Sequence, residues 1–149
     1  MRRHLLVPLL ALPLLAGCSS PADQGIELLD EPATAQDELP SDLHVGGFEP
    51  DTVRFAAQVD GLSFYMARAA TGDARQSAES DEGLCLIVAE EDHIACAGMP
   101  FDVSFYGISA RIEADDFEAS KLTSEGWDQV QKNLFLKGLD DRGQPGRNG

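Results

Sequence analysis

The chain has 149 residues, with 26 acidic side chains against 11 basic ones and a formal charge of −15. A surface this acidic makes nucleic acid a poor partner, because phosphate backbones require basic stripes, and it is repelled by anionic headgroups. The three cysteines form an odd count, so at least one needs its own account.

The chain opens MRRHLLVPLLALPLLAG, with two arginines followed by an apolar run from Leu5 to Ala16. About twelve apolar residues are too few to cross a bilayer core, which needs roughly twenty, and the layout is that of a secretory signal peptide over residues 1–17. The run ends at Leu15-Ala16-Gly17-Cys18, which resembles the lipobox of bacterial lipoproteins at all four positions. That resemblance implies diacylglyceryl transfer to Cys18, cleavage before it, and a mature chain held at the extracytoplasmic face of the cell membrane by its acyl chains, palmitate among them. Removal of residues 1–17 takes Arg2 and Arg3 with it and leaves a charge of −17.

Residues 19–51 contain nine acidic and no basic side chains and four prolines, so 18–51 reads as the lipidated cysteine and an acidic flexible tether. A chain of that length averages roughly 30 Å end to end. A short helix around Ile26–Leu29 is compatible with the sequence but would find little to pack on.

Residues 52–138 form the expected globular body, and 139–149 a disordered tail. In TVRFAAQVDGLSFYMARA, the apolar residues Val53, Phe55, Ala57 and Val59 alternate up to Asp60-Gly61 and resume as Leu62, Phe64 and Met66. Asp-Gly between alternating runs is the strongest short hairpin signal, since a type I′ turn needs positive φ at both central residues. The other face, with Arg54, Gln58, Ser63 and Tyr65, is expected to meet water.

After a polar loop from Thr71 to Glu82, LCLIVA and HIACAG flank Glu90-Glu91-Asp92 as a second hairpin. A turn with an even number of loop residues places Cys85 opposite Cys96 and Ile87 opposite Ile94 on one face, with His93 opposite Val88 on the other. Structural zinc takes four protein ligands, and C-x7-H-x2-C offers at most three, which parity then divides between two faces; His44 lies in the tether. With Cys18 taken by lipid and the chain exported, a Cys85–Cys96 disulfide is the expected outcome, ahead of free thiols or a redox or metal role.

From Val103 the alternation runs through Phe105, then slips one place to Ile108, Ala110 and Ile112, which reads as one strand bulged at Gly107. Ser124 is the expected N-cap of a short helix carrying Trp127, Val130 and Leu134, and a last strand runs through Leu134–Leu136. Trp127 is expected to plug the core. The fold expected is α+β and β-rich: a small antiparallel meander of about five strands with one short C-terminal helix.

Catalytic motifs are missing from the sequence. GLSFY lacks the second glycine of a nucleophile elbow, S-x-x-K does not occur, and no phosphate-binding glycine loop is present. The acidic groups Glu79/Asp81/Glu82, Glu90-Glu91-Asp92 and Asp115-Asp116 depart from the calcium-loop pattern and read as solvated turns. Across residues 32–137, FEPDTVRFAAQVDGLSFYMARA, LCLIVA and GWDQVQKNLFLK are similar to surface lipoproteins of actinobacteria, whose role is unknown. The resemblance implies an envelope location and a small β-rich domain, with no catalytic residue to carry over, and the residues themselves lead to no expected metal ligand or cofactor. The expected activity is therefore non-enzymatic binding of a protein partner in the envelope; the alternative is a small envelope hydrolase in which His93 and acids converge only in the fold.

Overall fold

A computed structural model of the chain describes residues 25–70 and 83–139. The expected signal peptide, Cys18, the acids at 79, 81 and 82, and the tail from 140 onward lie outside the described residues. The body is mostly antiparallel β with little helix, in two four-stranded sheets. Sheet one runs in chain order through β1 (Arg54–Val59), β2 (Leu62–Arg68), β3 (Leu84–Val88) and β4 (His93–Ala97). Sheet two, ordered β5-β6-β8-β7, contains β5 (Phe101–Phe105), β6 (Ile108–Ile112), β7 (Asp128–Gln129) and β8 (Leu134–Lys137), with α1 (Ser120–Ser124) between β6 and β7.

The first hairpin turns where the sequence places it. Asp60 and Gly61 both have positive φ, 50° and 79°, and Val59 pairs with Leu62. A register shift between Phe55 and Ala57 makes Ala56 a bulge, which breaks the expected single apolar face of β1. Val53 and Phe55 join one cluster with Tyr65, while Ala56 and Val59 pack with Leu62, Phe64 and Met66 in the main core.

The structure has eight strands where about five were expected, and one of the added strands arises at Tyr106-Gly107. Both residues have positive φ, 46° and 84°, and Phe105 pairs with Ile108 across them. The one-place slip in the apolar pattern is thus a two-residue hairpin turn and not a bulge within one strand, because a two-residue loop also shifts the alternation by one. The helix also moves. α1 spans Ser120–Ser124 and ends where the expected one began, with Gly126 at φ 84° behind it. Residues 128–129 are extended, and β8 covers the expected last strand. Trp127 is only half-buried, with the Lys137 ammonium 5.7 Å from its ring centre, and it belongs to neither core cluster.

Between the sheets lies the main core, with Phe64, Met66, Leu86 and Val88 from sheet one and Ile108, Ile112, Leu134 and Leu136 from sheet two. The Phe64 and Phe105 rings stand 6.2 Å apart across it. Two further members come from the segment expected to be a free tether. Residues Glu27–Asp30 form a 3₁₀ turn, whose three-residue repeat puts Ile26 and Leu29 on one side, and both enter the core at 2% and 5% exposure. The tether expectation is therefore corrected for residues 25–51. Sparse apolar residues suffice here because each is placed on a face the sheets leave open.

Candidate functional site

The second face of sheet one carries Tyr65, Ala67, Cys85, Ile87, Ile94 and Cys96, and it is not solvated. Leu39, Leu43, Val45 and Phe48 of the leader, residues 25–51, pack over it. Tyr65, Ser63 and Arg54, expected to meet water, are 7%, 9% and 8% exposed. Only Gln58 of that set is exposed.

The leader is fastened by groups that sequence reading assigned to solvent. The guanidinium of Arg54 donates from Nε and Nη2 to the carbonyl of Glu31, at 2.8 and 2.6 Å, and from Nη1 to Asp51 and Val53 carbonyls. Asp115 accepts from the Glu27 backbone N–H at 2.7 Å, and Asp92 accepts from that of His44 at 2.8 Å. Asp37 caps its own 3₁₀ turn by accepting from Thr34 and reaches β1 by accepting from the Phe55 N–H at 2.6 Å. Glu90 accepts from both the N–H and the hydroxyl of Ser63, tying the β3–β4 turn to β2.

Three of these carboxylates are shifted in a common sense. Burial pushes Asp37 up, but the bonds from Phe55 and Thr34 outweigh it and leave the carboxyl below its ordinary value. Burial likewise raises Glu90 and is outweighed by the two Ser63 bonds. In Asp115 it is outweighed by Asn133, the Glu27 N–H and Lys132. Tyr65 is raised, first by burial and then by the charges of Glu90 and Asp37.

Where the leader crosses the edge of this face, its chain encloses a groove of about 610 Å³. Leu39, Leu43, Val45, Phe48 and Val53 line it, and Asp37, Glu38 and Asp51 line it as well. Val53 is buried, while the other four apolar residues are half-buried, one side on the core and the other on the groove. Among the described residues, no lysine or arginine lines it. A second hollow of about 310 Å³ shares Pro40 and Leu43 with the first and adds Asp42, Glu90 and Asp92. The two hollows flank one ridge of the leader.

Of the residues singled out in sequence, Cys85 and Cys96 are joined, with sulfurs 2.02 Å and Cα atoms 4.0 Å apart. The register is the one parity requires, with Val88 opposite His93 and Ile87 opposite Ile94. A four-residue turn closes it, Ala89–Glu91 in 3₁₀ geometry and Asp92 left-handed. His93 lies on the opposite side from the disulfide, its ring 5.3 Å from that of Phe105 and its Nε2 buried without a hydrogen-bond partner. Among the described residues it forms no ion pair with a carboxylate, the only histidine to do so being His44 with Asp92 at 3.9 Å. Three or more His, Cys, Asp or Glu side chains gather nowhere among those residues in a way that would hold a metal ion.

Sequence reasoning missed the groove and the Asp37, Glu90 and Asp115 fastenings. One signal for the covered face was present: LCLIV is a continuous apolar run, the mark of a strand buried on both sides. In comparisons with protein-family models, curated proteins and solved structures, nothing matches this chain.

Proposed function

We propose that the protein is a lipid-anchored envelope protein that acts by binding, with Cys18 carrying the lipid and the leader-walled groove receiving a protein partner on the extracytoplasmic side. The groove is the observation that carries this reading. A concave set of half-exposed apolar side chains on a body otherwise covered in charge is the usual form of a recognition site. The disulfide is in keeping with export, since such bonds persist outside the cytoplasm. Gly25 lies seven residues beyond Cys18, a span of at most about 25 Å of extended chain, so the body works close to the membrane surface.

Palmitate labelling of cells, with Cys18→Ala as the control, tests the anchor, and a photo-crosslinking residue in place of Leu39 tests the groove. The reading expects label in the membrane fraction, its loss in the variant, and one discrete crosslinked adduct. An unlabelled, soluble protein, or a labelled one that gives no discrete adduct, overturns it.

A further inference from the structure

From the chemistry of the groove we infer the kind of partner: an extended basic segment that places one large apolar side chain between Leu39, Val45 and Phe48 and lays lysine or arginine side chains over the acidic rim. This rests on the groove being a binding site and adds what it binds. The apolar lining selects an apolar anchor, and the charge around it selects the sign of what flanks that anchor.

The charge argument is specific to named groups. Asp37 is engaged with Phe55 and Thr34, but the carboxylates of Glu38 and Asp51 make no hydrogen bond or ion pair with any described residue. Both are exposed at the groove. The nearby guanidinium of Arg54 is buried, donates to three backbone carbonyls and holds its charge against the Asp37 carboxylate, so it offsets that one acid and leaves the charges of Glu38 and Asp51 at the rim. On the far side of the Pro40–Leu43 ridge the negative sign continues through Asp42, Glu90 and Asp92. A segment crossing the ridge meets carboxylates in both hollows.

Other occupants fit less well. A second copy of this chain brings a formal charge of −15, or −17 without residues 1–17, to an acidic rim, and an anionic lipid headgroup is repelled for the same reason. A peptide that interleaves basic and apolar side chains supplies both, its apolar side chains entering the groove while the long, flexible lysine or arginine side chains beside them reach back to the carboxylates at its edge.

The test uses the full chain in nanodiscs of zwitterionic lipid and three nonapeptides, (Arg-Leu)4-Arg, (Arg-Gly)4-Arg and (Glu-Leu)4-Glu, titrated by calorimetry against empty discs. The first is expected to bind roughly tenfold or more tightly than either of the others, and to weaken as salt rises. Glu38→Lys with Asp51→Lys should weaken it by roughly tenfold, while reversal of two exposed acids elsewhere, Asp116→Lys with Glu118→Lys, should change it by less than about twofold. Equal binding of the Arg-Gly peptide, equal loss in the two reversal variants, or no binding of the Arg-Leu peptide overturns the inference. So does a concentration-dependent dimer that the peptide dissociates, which assigns the groove to a second copy. Palmitate labelling and the Leu39 adduct are read separately, so an anchored protein with a crosslinked partner but no preference for the basic peptide refutes the partner's chemistry alone.

Discussion

Sheet one buries both faces, with every residue of β3 and nearly all of β2 out of solvent, whereas β5 and β6 of sheet two alternate between buried and more exposed positions. The composition follows the burial. LCLIV and LSFYMA are almost wholly apolar, while FDVSF and ISARI interleave apolar residues with polar ones such as Asp102, Ser104, Ser109 and Arg111. A two-sided apolar sheet needs a cover on its second face, and a leader with few apolar residues provides it by placing Leu39, Leu43, Val45 and Phe48 there. Where that cover meets the sheet edge it is incomplete, and the groove is the gap. The site therefore belongs to the sheet with two faces to hide.

Substitutions on the second face of each sheet sharpen the contrast. Ile87→Ala, on the covered face of β3, should cost about 2–5 kcal/mol in denaturant unfolding, whereas Ser109→Ala, on the polar face of β6, should stay within about 0.5 kcal/mol. Cys85→Ala with Cys96→Ala opens a loop of 11 residues and should cost about 3 kcal/mol on the chain-entropy account. The loss should be accompanied by faster proteolysis of the leader that packs over these cysteines.

Acid provides a third way to separate leader from sheets. Asp37, Glu90 and Asp115 have folded-state values below their unfolded ones, so the stability they confer is complete above the unfolded value and is lost as pH falls through the folded one. The melting temperature should thus be steady near neutrality and fall as pH drops below about 4. Protection of the Phe55 amide, which donates to Asp37, should fall relative to its intrinsic exchange rate in the same window. Asp37→Asn should reduce that acid response. The smallest effect is at the other sheet: Tyr106→Asn, at a left-handed turn position and 65% exposed, should raise stability by up to about 1 kcal/mol.

Elements with strong local chemistry were legible in the sequence. Asp60-Gly61 announced its turn, and parity set Cys85 opposite Cys96 on the condition of an even loop between Val88 and His93, which the four residues of the turn meet. Tyr106-Gly107 was not legible, because tyrosine is a poor left-handed residue and the slip in alternation has the same signature as a bulge. The leader was misread for a different reason. Its composition is that of a solvated chain, and the burial of Ile26 and Leu29 depends on a 3₁₀ turn meeting a gap between sheets that forms only in the fold. The groove shares that origin, being made of leader and sheet together, so no single stretch of sequence contains it. Asp37 and Asp115 look like surface acids until the backbone N–H groups of Phe55 and Glu27 arrive from far along the chain.

Hydrogen exchange on the leader amides of the full chain tests the central claim most directly, since the groove exists only if residues 25–51 are part of the folded body. Leu29, Leu43 and His44, whose N–H groups donate to Ile26, Pro40 and Asp92, should be protected and should lose that protection together when Asp37 and Asp115 are protonated. Exchange of all three at the rate of an unstructured chain at neutral pH would contradict the account, leaving a bare apolar face on sheet one and no site to which a partner binds.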